Sequence, residues 1–203
     1  MNEQVLAVPR AAINGFLKQG FFGAGQADLM GLMGESSVFL DRPAAEQDPS
    51  HKQIIPYIVV SHGERFLVYQ RTAKQGEKRL HNKFSLGFGG HINNLDQQGS
   101  QPTNLILSGM VRELNEEIFL PGLSSIKVAG FINDETNGVG QVHLGVVFLV
   151  EVTSEKFAVN EPEMIEAKWS DTEEIAKVFP LLESWSQILW SEFLSRPVAR
   201  AAG

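Results

Sequence analysis

Three glutamates in one short segment are the residues of this chain best suited to chemistry. Residues 112–117 read Arg-Glu-Leu-Asn-Glu-Glu, inside a stretch of about 15 residues (104–118) whose apolar residues recur with a helical period. At about 100° per residue, Glu113, Glu116 and Glu117 fall within an arc of about 100° on one side of that helix. Carboxylates so close together repel one another. A divalent ion that prefers hard oxygen ligands, Mg²⁺ or Mn²⁺, would relieve the repulsion.

The same cluster also fits a second interpretation, an acidic helix face that is simply solvated. Two neighbouring features favour the metal. A glycine-rich strand end lies upstream at residues 84–92, and the helix is short, ending before Pro121-Gly122. The helical period places the apolar residues on a different side of the helix, and we expect that side to face the core. These residues are Leu107, Met110, Val111, Leu114 and Ile118.

The surrounding pattern predicts the elements that must position this helix. Residues 54–60 and 65–70 predict a β-hairpin with a turn at 62–64. Further strands are predicted at 126–132, 142–152 and up to residue 169. Asp171 and Glu174 have the spacing of a capping box, which predicts a helix start, and a last helix is predicted at 181–194. We expect residues 1–50 to form an N-terminal extension that packs on a domain spanning residues 51–203.

Composition excludes several classes of protein. The 203 residues include 24 acidic and 17 basic side chains, a formal net charge of -7, and no cysteine. Without cysteine there is no disulfide framework, thiolate metal site or cysteine nucleophile. The net charge argues against a nucleic acid polymer as the main partner, and against a membrane. Because no membrane-spanning run or secretory signal is visible, we expect a cytoplasmic protein.

The motifs resemble those of the Nudix hydrolase superfamily. Residues 112–117 resemble the R-E-U-x-E-E core of the Nudix box, where U is aliphatic, and residues 89–92 resemble the G-G-x-U segment that opens it. Residues 163–175 resemble the strand and helix that often close the domain. The resemblance covers residues 53–177. It implies an α+β fold, a Nudix-type α/β/α sandwich with a mixed β-sheet.

The resemblance also implies an activity and a set of roles. The expected protein is a Mg²⁺- or Mn²⁺-dependent pyrophosphohydrolase. Its substrate is a small molecule with a diphosphate linkage, such as a nucleoside diphosphate linked to another moiety X. Glu116 and Glu117 would be metal ligands, with Glu113 a further ligand or water-orienting group. The carbonyl of Gly90 would complete the shell, and Arg112 would orient the carboxylates.

The same resemblance implies a general base, whereas the phosphate contacts are inferred from a basic loop that also fits a solvated surface. The base would be Glu166 or Glu163 if it lies outside the helix, and Glu117 if it lies inside. Arg71 and Arg79, in a basic loop after the hairpin, would contact phosphate oxygens. Family members often form homodimers, for which the Phe-rich extension offers a surface. His91 and His143 lack the spacing of a zinc motif, and we interpret them as packed or hydrogen-bonded histidines.

Departures from the box keep alternatives open. Asn104 stands where the box has its early glutamate, the loop after Gly90 is longer than in the consensus, and Phe119 replaces a glycine. Asp96, in that loop, is a candidate substitute for the missing carboxylate. The main alternative is a non-hydrolytic Nudix-like module that senses a phosphorylated ligand. An isomerase of the isopentenyl diphosphate type ranks last, because those enzymes use a cysteine.

Overall fold

The fold was obtained as a computed structural model. It describes residues 3–23, 29–71, 83–97, 102–160, 162–163 and 165–196. Most of the predicted basic loop, including Arg79, lies outside the described residues. Within them the strands are β1 (Gln4–Pro9), β2 (Gly20–Gly23), β3 (Val38–Asp41), β4 (His51–His62), β5 (Arg65–Arg71), β6 (Phe84–Ser85), β7 (Ile118–Phe119), β8 (Leu123–Asn133), β9 (His143–Val152), β10 (Ala158–Val159) and β11 (Ile165–Ser170).

One helix is much longer than the others in the described residues. The helices are α1 (Arg10–Ile13), α2 (Leu29–Ser36), α3 (Arg42–Ala45), α4 (Pro102–Glu117), α5 (Gly138–Gln141), α6 (Thr172–Val178) and α7 (Ser184–Leu189). Two 3-10 turns, Asn94–Gln97 and Phe179–Leu181, and a π-helical segment, Trp190–Leu194, complete the helical residues. None of these helices has both the length and the apolar character needed to cross a membrane.

Contacts within the chain divide it into two compact units. The first unit consists of Met1–Tyr57, Gly89–Glu113 and Ala129–Val147, and the second of Ile58–Phe88, Leu114–Val128 and Phe148–Gly203. The division falls inside β4, β8, β9 and α4, each of which is continuous in the chain. The division of the chain at residue 50 into an extension and a domain stays a prediction.

In the first unit, the opening strand lies between two others. β1 pairs antiparallel with β3, with Leu6 opposite Phe39, and antiparallel with the start of β4, with Ala7 opposite Gln53. β2 pairs antiparallel with β8. Apolar side chains on both faces of β1 are buried, which is why its sequence is a continuous apolar run rather than an alternating one.

In the second unit, the predicted hairpin is confirmed. β4 and β5 pair antiparallel, and Gly63 turns the chain between them with a positive φ of 58° that favours glycine. β5 in turn pairs antiparallel with β11, with Leu67 opposite Trp169. The predicted capping box of α6 is also confirmed, since Asp171 accepts from the Glu174 amide and Glu174 accepts from the Asp171 amide.

The sheet contains both strand directions. Gln53 N donates to Val142 O at 2.7 Å, and His62 Nδ1 lies 2.8 Å from Val152 O. Residue numbers in β4 and β9 therefore rise together, so these neighbouring strands are parallel, whereas the hairpin partners are antiparallel. The prediction of an α+β fold with a mixed sheet is confirmed.

One local prediction was wrong in detail. The last helix was expected to be continuous over residues 181–194, but it is divided. The 3-10 turn ends at Leu181, and Glu183 caps the start of α7 by accepting from the amides of Trp185 and Ser186. Pro56 lies inside β4, although proline cannot donate a ladder hydrogen bond. It is tolerated there because it falls between Gln53, which pairs with β1, and Ile58, which pairs with Phe88.

A fully buried lysine holds the loop between β8 and β9. Lys52 Nζ donates to Asn133 Oδ1 at 2.7 Å and to Gly140 O at 2.8 Å, and it forms an ion pair with Glu135 at 2.8 Å. Arg10 binds the same Glu135 oxygen at 2.8 Å. Burial lowers the pKa of Lys52, whereas the Glu135 carboxylate acts to raise it. The network fixes the backbone of residues 133–140 onto β4.

We expect Lys52→Met to destabilise the protein strongly. The substitution leaves a buried carbonyl and a buried amide oxygen without their donor, and removes one partner of Glu135, which should lower the free energy of unfolding by about 3 kcal/mol. Urea unfolding measures the loss. The control is Lys168→Met on the exposed side of β11, which should stay within about 0.5 kcal/mol. Equal stability of the two variants would contradict the assigned role.

Candidate functional site

Helix α4 carries Glu113 on the side that its first turns bury. Ile106 and Met110 are buried, and Glu113 follows them at helical spacings of seven and three residues, so all three share one side. Glu113 is only 12% exposed, Glu117 is half-buried, and Glu116 is exposed. The same helix side is therefore apolar at its beginning and carboxylic at its end.

The prediction for the apolar side of α4 was wrong for two residues. Leu107 and Val111 are 44% and 42% exposed, whereas the buried positions are Leu105, Ile106, Met110 and Leu114. The helical period alone does not tell which side is buried, because Leu107 and Val111 are four residues apart, just as Ile106 and Met110 are. Tertiary packing decides between the two sides, and it selects the one that continues into Glu113.

Arg112 connects the helix to the loop that precedes it. Its Nε and Nη2 donate to both oxygens of Asp96 at 2.8 and 2.9 Å, Nη1 donates to Glu113 Oε1 at 2.8 Å, and Nη2 also donates to His91 O at 2.8 Å. The hydrogen bonds to Asp96, a buried carboxylate, raise the pKa of Arg112 above its ordinary value. Asp96, marked by the sequence as a substitute carboxylate, is thus bound by the arginine of the box.

Glycine is required where the backbone approaches this cluster. A Cβ at Gly90 would lie 2.5 Å from Glu113 Oε2, and a Cβ at Gly89 would lie 1.9 Å from the carbonyl oxygen of Pro56. The Glu113 carboxylate therefore lies directly against the Gly90 backbone, with Arg112 holding its other oxygen. The structure brings together three of the predicted site residues: Gly90, Arg112 and Glu113.

The end of α4 is held by an asparagine of the second unit. Asn160 Nδ2 donates to the carbonyl oxygens of Asn115 and Glu116 at 2.7 and 3.2 Å, and its backbone amide donates to Glu117 O at 3.1 Å. These carbonyls belong to the last turn, where the helix itself offers no donor. The backbone of the two adjacent glutamates is fixed by this cap.

Arg71 lies beside an aromatic pair near Glu117. Its Nη2 donates to Tyr69 Oη at 3.1 Å, and its guanidinium carbon lies 5.4 Å from the Tyr69 ring centroid. Tyr69 donates to Gly87 O at 3.0 Å and stacks on Phe88 with centroids 4.5 Å apart. Burial raises the pKa of Tyr69, and the negative charge of Glu117 adds to the rise, so Glu117 and Arg71 act on the same tyrosine.

The two predicted candidates for a base outside the helix lie on β11 and just before it. Glu166 lies on the exposed side of β11, with Gln70 of β5 as its strand partner, and Glu163 is exposed in the turn before β11. Arg79 falls outside the described residues. Within the described ranges, no group of three or more histidine, aspartate and glutamate side chains stands close enough together to hold a metal ion. The metal ligands and the general base stay predictions.

A pair of histidines also meets in the first unit. His91 Nε2 and His143 Nε2 are 3.3 Å apart, and His143 Nδ1 lies 2.7 Å from Val139 O. Burial lowers the pKa of both, that of His91 to about 3, and the nearby charge of Arg42 acts in the same direction. The sequence interpretation treated them separately. Their meeting could not be foreseen, because they are 52 positions apart, His143 at the start of β9 and His91 in the segment after β6.

The fold and the helix together define the class of protein. Tm1382, a solved structure described as a candidate Nudix hydrolase, matches with a TM-score of 0.81 and 33% sequence identity, covering 95% of this chain and 99% of that one. The chain belongs to the Nudix hydrolase superfamily, and the Nudix-type fold predicted from residues 89–92 and 112–117 is confirmed.

A curated relative matches over nearly the whole length. Protein YmaB of Bacillus subtilis (strain 168) is 35% identical over 199 residues, which are 93% of this chain and 96% of YmaB. No family model matches the chain. The sequence departs from the box consensus at Asn104, in the longer loop after Gly90 and at Phe119.

Two more distant structures share the fold alone. One is a bifunctional NMN adenylyltransferase/ADP ribose pyrophosphatase from Francisella tularensis, with a TM-score of 0.51 and 15% identity over 71% of this chain and 41% of that chain. The other is DR0079 from Deinococcus radiodurans, with a TM-score of 0.51 and 14% identity over 76% of this chain and 88% of that chain.

We expect Asp96→Asn to loosen the connection between α4 and its loop. An amide oxygen replaces one carboxylate oxygen, and an amide N–H faces the guanidinium, so Arg112 loses its charge-assisted pair and the free energy of unfolding should fall by about 2 kcal/mol. Thermal unfolding measures the change. Asp41→Asn, at an exposed position, is the matched control and should have little effect. A stability of Asp96→Asn equal to that of the control would contradict the assigned contact.

Proposed function

We propose that the protein is a Mg²⁺- or Mn²⁺-dependent hydrolase that cleaves a diphosphate linkage in a small molecule, such as a nucleoside diphosphate linked to another moiety. The observation that carries the proposal is the placement of Glu113. Its carboxylate lies against the Gly90 backbone and is held by Arg112, in a chain that belongs to the Nudix hydrolase superfamily. The bifunctional protein from Francisella tularensis, which shares the fold, was solved with AMP and a manganese ion.

The carboxylates of α4 are the proposed donors for the divalent ion. Glu116 and Glu117 on the last turn, together with Glu113 and the Gly90 carbonyl, offer the hard oxygen atoms that Mg²⁺ and Mn²⁺ prefer. When bound, a divalent ion neutralises phosphate charge and lowers the pKa of a bound water. Glu116 is exposed and Glu117 half-buried, so neither carboxylate is closed off from solvent.

Arg112 acts on the site through Glu113. Its guanidinium is occupied by Asp96, Glu113 and His91 O, so it is a positioning residue rather than a phosphate contact. By holding one oxygen of Glu113, it leaves the second oxygen directed at Gly90. A carboxylate restrained in this way loses little conformational entropy when it meets an ion.

Arg71 is the proposed phosphate contact near Glu117. It ends β5, and its guanidinium is oriented by the Tyr69 hydroxyl and ring. Arginine binds phosphate oxygens with a planar pair of donors, and an oriented guanidinium has less freedom to lose. Glu166, exposed on β11 in the same unit, is the proposed general base, with Glu163 and Glu117 as the alternatives.

We expect Glu117→Gln to remove most of the hydrolysis. Loss of a metal-ligating carboxylate removes several kcal/mol of transition-state stabilisation, which corresponds to a fall in kcat/KM of about 100-fold or more. The assay follows release of phosphate or nucleoside monophosphate from nucleotide sugars, dinucleoside polyphosphates, nucleoside triphosphates and coenzyme-type diphosphates, with Mg²⁺ or Mn²⁺. Glu173→Gln, an exposed helix glutamate in the first turn of α6, is the matched control.

Two outcomes would count against this proposal. Full activity of Glu117→Gln would contradict the role of that carboxylate. Tight binding of a panel member by the folded wild-type protein, without turnover in saturating Mg²⁺ or Mn²⁺, would instead support the sensing module.

We expect Gly90→Ala to impair activity with little loss of stability. The added methyl group would occupy the space of Glu113 Oε2, which can move because it is the far end of a flexible side chain. The carboxylate would then leave the Gly90 backbone, and kcat/KM should fall while the unfolding temperature changes little. Gly31→Ala, where the added methyl meets no atom within 4 Å, is the control. Unchanged activity of Gly90→Ala would contradict the proposed placement.

A further inference from the structure

We propose that His91 and His143 bind a divalent transition-metal ion of the zinc class, in addition to any ion held by the carboxylates of α4. The sequence offers no zinc motif, and the interpretation from sequence treated both as packed histidines. The proposal rests on four features of the first unit: the separation of the two nitrogens, the partner of His143, the charges nearby, and a buried amide beside His143.

The separation of the two imidazole nitrogens fits a shared ion. In a tetrahedral site, nitrogens that are each about 2.05 Å from zinc are roughly 3.3 Å apart. The two Nε2 atoms are 3.3 Å apart, with the rings inclined at 62°. That separation exceeds the range of about 2.7–3.2 Å usual for an N–H···O hydrogen bond. A direct hydrogen bond between the rings is therefore weak, and an ion would use both lone pairs.

The second nitrogen of His143 has the partner expected of a metal ligand. Nδ1 donates to Val139 O at 2.7 Å, which places the proton on Nδ1 and leaves Nε2 with its lone pair. The carbonyl belongs to α5, whose start is capped by Asn137, which accepts from the Gly140 amide at 2.9 Å. Lys52 holds Gly140 O as well. The orientation of His143 is thus fixed by a rigid element.

The charges around the pair do not prevent cation binding. Arg42 is the cationic group whose field reaches both histidines. Its guanidinium is bound by Glu3 at 2.9 Å and by Glu46 at 3.0 Å. Glu46 also acts on His143 with a field that favours positive charge. Lys52 acts on His143 in the same direction as Arg42, and its charge is paired with Glu135. Carboxylates offset both cations, so the pair does not face an uncompensated positive charge.

A buried amide next to His143 has no partner of its own. Gln53 is fully buried, and neither its Oε1 nor its Nε2 has a hydrogen-bond partner among the described residues. Because β4 and β9 are parallel and Gln53 N donates to Val142 O, Gln53 lies opposite His143 with its side chain on the same face. Buried polar groups are nearly always satisfied. A water that completes the coordination of the ion would supply the missing partner.

Zinc binding by the full chain tests the proposal. The protein is stripped with chelator and titrated with Zn²⁺ by calorimetry in millimolar Mg²⁺, which occupies sites that prefer hard oxygen ligands. We expect one Zn²⁺ ion bound with a Kd tighter than about 10 μM. His91→Gln and His143→Gln should each weaken it by at least about 100-fold. Glu117→Gln should leave it unchanged, so that this test does not depend on the proposed hydrolase activity.

The control histidine is His62. Its Nδ1 also contacts a backbone carbonyl, Val152 O, but its ring packs against Trp169. His62→Gln should bind Zn²⁺ as the wild type does. A shift of the unfolding temperature by Zn²⁺ gives a second readout, expected for the wild type and His62→Gln but not for the two site variants. The proposal is overturned if the wild type does not bind Zn²⁺ at this level, or if a folded His91→Gln variant binds it equally well.

Discussion

The bidentate contact between Arg112 and Asp96 is the interaction on which the candidate site depends. This contact fixes the loop after Gly90 to α4. The same guanidinium also donates to the Glu113 carboxylate through Nη1 and to the His91 carbonyl through Nη2. A planar cation with donors on several sides is needed for this, since a lysine offers one point of charge. That Asp96, from the longer loop, takes the place of the early glutamate of the consensus stays a prediction.

The elements that sequence alone predicts well are those set by local patterns. The β4–β5 hairpin, the bounds of α4 and the capping box of α6 each follow from residues close together in the chain. The side of α4 that faces the core was not predictable, because Leu107 and Val111 have the same helical spacing as the buried residues. Only packing against distant segments distinguishes the two sides.

In the candidate site too, some residues could be identified from sequence motifs, whereas others are brought together only by the fold. Arg112, Glu113 and Gly90 were identified from their motifs, and the structure places them in contact. The meeting of His91 with His143 and the network of Lys52 depend on pairings between strands far apart in sequence. A lone histidine or lysine in an apolar strand has no periodic signal that marks it, so sequence reasoning had no basis for assigning it a partner.

The position of β1 has a practical consequence for shortened forms of the protein. β1 occupies an edge of β4, with Ala7 opposite Gln53, and apolar residues of β1 are buried on both faces. A polypeptide that began near residue 50 would expose that edge with its unpaired amides and carbonyls, together with the apolar surface that β1 covers. Such an edge templates pairing with other chains. A minimal Nudix fragment of this protein would therefore tend to aggregate, whatever the state of its box helix.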